Sequence, residues 1–127
     1  MSADLDETLK GYEELVGYVP DGSKARLELL TDLSPQFLER IERFRGESVT
    51  PEHLDAVTVQ MLMFAILLFA RDTEAEAHAR IALRNGATPE QLLDVIGVAG
   101  WLGGAQAYNM GFRTLQKALA DERGFEA

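Results

Sequence analysis

Residues 61–70 read MLMFAILLFA, ten consecutive positions without a polar side chain. A helix that is apolar on every side persists in water only when neighbours enclose it. The run is about half the length that a membrane span requires. It must therefore be the central element of a helical fold, covered by other helices or by further subunits. No stretch of useful length alternates apolar and polar residues, so the expected fold class is all-α, a single-domain bundle of about six to seven helices over residues 1–127.

Local punctuation divides the rest of the chain. Ser34-Pro35, Thr50-Pro51 and Thr88-Pro89 each place a hydroxyl at an N-cap and a proline at the first helical position, where its missing N–H costs nothing. Gln91 completes a capping box with Thr88, and Glu90 lies at the positive end of the helix dipole. Gly22, Gly46 and Asn85-Gly86 read as stops. The predicted helices are then 4–18, 23–33, 35–45 and a long one over 51–71. Asp72-Thr73 recaps the chain into a helix through His78, another follows Thr88, and GWLGGAQ at 100–106 breaks the chain before a last amphipathic helix to about residue 122.

Composition narrows the function. Twenty-one acidic against 12 basic residues give a net charge of −9, a field that repels phosphate backbones and anionic lipid, so neither nucleic acid nor membrane is an expected partner. The chain has no cysteine, which removes disulfides, thiolate metal sites and thiol nucleophiles together. The acidic opening MSADLDETLK is unlike a signal peptide, and a cytoplasmic location is expected. There is no glycine-rich phosphate loop, no HExxH and no Ser-His-Asp order, and two histidines are too few to predict a metal site.

His78 carries the chemistry that remains. At about 100° per residue, Glu76, Arg80 and Arg84 cluster on one side of its helix, which is expected to face water. His78 lies away from that side, flanked by Ile81 and Ala82, with Glu74 one turn earlier and Arg71 two turns earlier on a continuous helix. Two readings stand open. An imidazole beside a carboxylate can exchange protons near neutral pH, or it can be a core-edge residue satisfied by Glu74 or a backbone carbonyl. His53, at the third position of the long helix, is expected to be exposed or a local cap. Trp101 and Tyr108, beside small glycines, are either pocket walls or core.

The stretch HARIALRNGATPEQLLDVI, with EAEA before it, resembles the carboxymuconolactone decarboxylase family, which includes the alkylhydroperoxidase D-like proteins. Glu74, His78, Gly86, Thr88, Glu90 and Leu92 occupy its motif positions, and the likeness extends loosely over residues 44–119, leaving 1–43 as N-terminal helices. The resemblance implies an all-α subunit assembled into a homo-oligomer, a trimer or hexamer. The family's peroxidase branch carries Cys-x-x-Cys where this chain has Arg71 and Glu74, so that chemistry is closed to it. The decarboxylase branch uses no cofactor and acts on a small lactone whose carboxylate lies β,γ to a double bond.

On that likeness His78 is the acid/base, Glu74 orients it, and Arg71, Trp101 and Tyr108 position a small-molecule substrate. The chain departs from the decarboxylase pattern at LDAVTVQ, 54–60, which lacks the expected arginines. It departs again at Val98, Leu102 and Gln106, where a second histidine, a tyrosine and a proline are expected. The implied function is a cofactor-independent enzyme acting on a small carboxylated lactone or related carbonyl metabolite. The alternative is a catalytically divergent small-ligand binding or oligomeric assembly module.

Overall fold

The structure, a computed structural model, describes residues 2–16 and 21–126, and every regular element among them is an α-helix. These are α1 (Ser2–Val16), α2 (Asp21–Leu33), α3 (Pro35–Val49), α4 (Ala56–Phe69), α5 (Ala75–Arg84), α6 (Pro89–Gly103) and α7 (Ala105–Glu126). The chain divides into two compact units, Met1–Pro51 and Glu52–Ala127.

In the N-terminal unit the buried hydrophobic side chains among the described residues are Tyr12 and Leu27. Arg26 Nη2 donates to the Tyr12 hydroxyl at 2.8 Å and to Glu42 Oε1 at 3.1 Å. The Arg45 guanidinium lies over the Tyr12 ring at 4.3 Å and pairs with Glu42 at 3.7 Å. A cation–aromatic network thus joins α1, α2 and α3. Ser34 caps α3 as expected, accepting from Phe37 N at 3.3 Å, with Pro35 at the first position.

Two expected stops are not stops. Gly22 lies in the first turn of α2, and Gly46 lies inside α3, which runs on to Val49. A glycine weakens a helix by about 0.5–1 kcal/mol but ends one only where the chain needs a positive φ. The expected continuation of the first helix to residue 18 lies outside the described residues.

Thr50-Pro51 does not start a helix either. Thr50 is the C-cap of α3, its hydroxyl donating to the Gly46 carbonyl at 2.7 Å, and the following proline keeps its backbone out of the helical region. The long helix begins later, at Ala56, where the Asp55 carboxylate accepts from Thr58 N at 2.8 Å. Hydrogen bonds to it from the Thr58 side chain and then from the Thr58 backbone N–H hold the Asp55 carboxyl below its usual range. His53 consequently sits in the connecting segment and not at a third helical position; its side chain is exposed beside Glu52.

The C-terminal unit is built round an apolar core. Phe64 and Leu68 of α4, Leu92 and Ile96 of α6, and Ala75, Ala79 and Ala82 of α5 are all fully buried. Each large side chain so buried stabilises the fold by about 1.5–3 kcal/mol. The alanines of α5 let that helix pack closely on both α4 and α7. At Gly111, on α7, an added Cβ would lie 2.7 Å from Ile96 Cγ2, so α6 and α7 meet where a side chain is missing.

The turns here follow the sequence. Gly86 adopts φ 104° after α5, Thr88 and Gln91 complete both halves of the capping box, and Gly104 at φ 89° separates α6 from α7. The last helix runs past residue 122, to Glu126. No described helix is long and apolar enough to cross a membrane. The outer side of α4 shows Leu62, Ile66 and Phe69 at one helical stripe, about half exposed. The side of α5 expected to face water is partly covered: Glu76 and Arg80 are half-buried, and Lys117 Nζ of α7 lies 3.7 Å from Glu76 Oε2.

Candidate functional site

His78 occupies the middle of α5 and is half-buried. Ala75, Ala79 and Ala82 turn one side of the helix into the core, and His78 stands at the edge of that side, facing α4. Its Nδ1 lies 2.7 Å from Gln60 Oε1. Gln60 precedes Phe64 and Leu68 by one and two turns, so it shares the α4 stripe that those buried residues define. Sequence reasoning missed Gln60. Its signal was an amide standing in register with the buried side chains of a helix whose remaining polar residue is Thr58 in the first turn.

Glu74 is the N-cap of α5, half-buried and in helical conformation, at the expected spacing before His78. Its side chain makes no cap bond; Asp72, two residues before that cap, accepts from Glu74 N at 2.9 Å, so the expected recapping at Asp72-Thr73 is a turn leading into α5 and not its cap.

Arg71 is placed differently from its expected position on a continuous helix. The chain breaks between α4 and α5, and Arg71 adopts φ 57°. Its Nη1 donates to Phe69 O at 2.7 Å, Nη2 to Gly103 O at 2.6 Å, and Nε to Gln106 Oε1 at 3.2 Å. The guanidinium therefore braces the end of α4 against the α6–α7 junction.

Tyr108 lies at the same junction, its ring against Gly100, where an added Cβ would come within 2.6 Å of Cδ2. It meets Phe112 edge-on at 4.5 Å. Trp101 is 88% exposed and Leu102 and Phe69 are also exposed, so this corner of the C-terminal unit is an open apolar surface. The sequence-derived candidates thus fall into two groups: His78 and Glu74, joined by Gln60, on α4 and α5; and Arg71, Trp101 and Tyr108 round the α6–α7 junction. A cavity of about 230 Å³ lies elsewhere, against α5 and α7, lined by Glu76, Arg113 and Lys117 among others. Among the described residues no group of three or more His, Asp or Glu is placed to hold a metal ion.

In chain order the histidine-bearing α5 falls between the apolar α4 and the Thr-Pro-capped α6, and the sequence of this region is matched at family level. The sequence model of the carboxymuconolactone decarboxylase family fits residues 35–117, from the start of α3 into α7. The chain belongs to the carboxymuconolactone decarboxylase family. No curated protein and no solved structure gives a significant match. As a member of the carboxymuconolactone decarboxylase family this chain has no thiol to offer, since position 71 is arginine and position 74 glutamate and cysteine occurs nowhere in it.

Proposed function

We propose that this family member is a cofactor-independent acid/base enzyme that decarboxylates, or shifts a proton on, a small carboxylated lactone or related carbonyl metabolite. The observation that carries this reading is the half-buried His78 imidazole held 2.7 Å from a side chain of the neighbouring helix. Imidazole is the side chain whose proton exchanges near neutral pH, and a packed support keeps it in one orientation.

The chemistry asks for little more. When the C–C bond to the carboxylate breaks, CO2 leaves and its bonding pair moves into the ring as the neighbouring double bond shifts. A proton must then arrive at the distal carbon, and the protonated His78 would deliver it. Glu74, the N-cap of α5, stands one turn before His78. The exposed apolar side chains Ile66, Phe69, Trp101 and Leu102 suit a homo-oligomer interface.

The test is CO2 release from an unsaturated carboxylactone by the wild-type protein and by His78→Ala, with helicity and oligomer size checked for both. A loss of about 100-fold or more is expected. Undiminished turnover by a folded His78→Ala protein would refute the reading. A second reading, a binding or assembly module without turnover, draws support from Arg71, whose guanidinium is already tied to two carbonyls and an amide. It predicts saturable ligand binding unchanged by His78→Ala.

A further inference from the structure

We propose that Gln60 is a positioning residue that holds His78 as its Nδ1–H tautomer, the proton on that nitrogen being fixed by the amide oxygen of the neighbouring helix. The proposal rests on the reading of His78 as an acid/base group, and it assigns which ring nitrogen keeps its proton.

The argument begins with the donor inventory. An amide carbonyl oxygen only accepts, so a contact of 2.7 Å between Nδ1 and Gln60 Oε1 requires the proton to sit on Nδ1. In the neutral ring the lone pair is then on Nε2. When the ring takes up a second proton, both nitrogens carry hydrogen and Nδ1 still donates to the same oxygen. One bond therefore serves both halves of a proton-transfer cycle, and the ring does not reorient between them.

A carboxylate at position 60 would orient the ring equally well, but its charge would also favour the imidazolium. The amide orients the ring without adding that charge. The support is rigid: Phe64 and Leu68, which follow Gln60 on the same stripe of α4, have no solvent exposure. Ala79, which follows His78 on α5, has none either. Neither helix can shift along the other without disturbing close-packed neighbours.

The chain suits a direct measurement because it has two histidines, and the other, His53, is exposed and removable as His53→Gln. Nitrogen NMR of the His53→Gln protein at a pH where His78 is neutral reads the tautomer without any substrate. A pyrrole-like Nδ1 and a pyridine-like Nε2 are expected. Gln60→Met, similar in length but without the acceptor, should shift the population toward Nε2–H, the form free histidine prefers. Gln60→Glu restores an acceptor and should restore Nδ1–H.

A pyridine-like Nδ1 in the His53→Gln protein would overturn the proposal, because the amide would then be donating through its nitrogen. An unaltered tautomer in folded Gln60→Met would overturn it equally. Since the spectrum needs no turnover, these failures are distinct from that of the enzymatic reading. If His78→Ala stays active while the Nδ1–H signature is present, the enzymatic reading falls and the tautomer assignment stands.

Discussion

Among the described residues between Met1 and Pro51 the buried side chains are Leu27 and a tyrosine with two guanidinium groups about it; between Glu52 and Ala127 they are chiefly phenylalanine, leucine, isoleucine and alanine. The contrast is one of tolerance. An aliphatic core gains stability in proportion to the area it removes from water, whatever the pH or salt. A cation–aromatic network depends on each partner being in place, and its worth falls with the solvent that reaches it. The histidine-bearing helix belongs to the first kind of packing, where a side chain's position is set by neighbours that have nowhere else to go.

The contrast breaks most readily at Phe64. Phe64→Ala should lower stability by about 3–5 kcal/mol in denaturant titrations followed by far-ultraviolet circular dichroism. A loss under about 1 kcal/mol would mean that the C-terminal core is not the chief support of its unit. A smaller effect is expected at Arg26. Arg26→Met removes the donor shared by Tyr12 and Glu42, but 27% and 24% of the Arg26 and Glu42 side chains reach solvent, so the loss should be about 1–2 kcal/mol. Amide exchange through α1–α3 would register it, together with a dependence on salt that Phe64→Ala should lack.

The mildest test is acid. Bonding from Thr58 sets the folded Asp55 carboxyl below its ordinary 3.8, so the unfolded chain binds that proton more readily. The cap's contribution is whole above the ordinary value and is lost as pH falls through the lowered one. Asp55→Asn, which caps without titrating, should flatten that part of the acid limb of thermal unfolding. An unchanged acid limb would detach the start of α4 from its cap.

Much of this architecture was legible in the sequence where the deciding atoms lie close together along the chain. Thr88, Pro89 and Gln91 satisfy one another within a single turn, and Gly86 and Gly104 are demanded by positive φ. Gly22 and Gly46 misled because residue type alone does not reveal a φ, and both sit in ordinary helix. Thr50-Pro51 misled because the same pair can end one helix or begin the next, and Asp55 offered a cap of equal quality a few residues on.

The site was legible only in part. Glu74 and His78 stand as their spacing requires, since one turn of helix fixes it. The bond from His78 to Gln60 joins residues 18 apart and depends on how two helices lie in register, which no local pattern encodes. Glu76 and Arg80 looked solvent-facing because a helical wheel carries no information about α7. Arg71 was misplaced for a related reason: the break between α4 and α5 swings it out of the helical phase from which its direction was inferred.

That swing has a consequence for the corner it creates. A left-handed arginine is an uncomfortable backbone choice, and here one cation fastens the tail of one helix to the seam between two others. Any anion that competes for this guanidinium must undo the fastening as it arrives. Capture of a guest and loosening of the corner would then be a single event, felt at three helix ends at once.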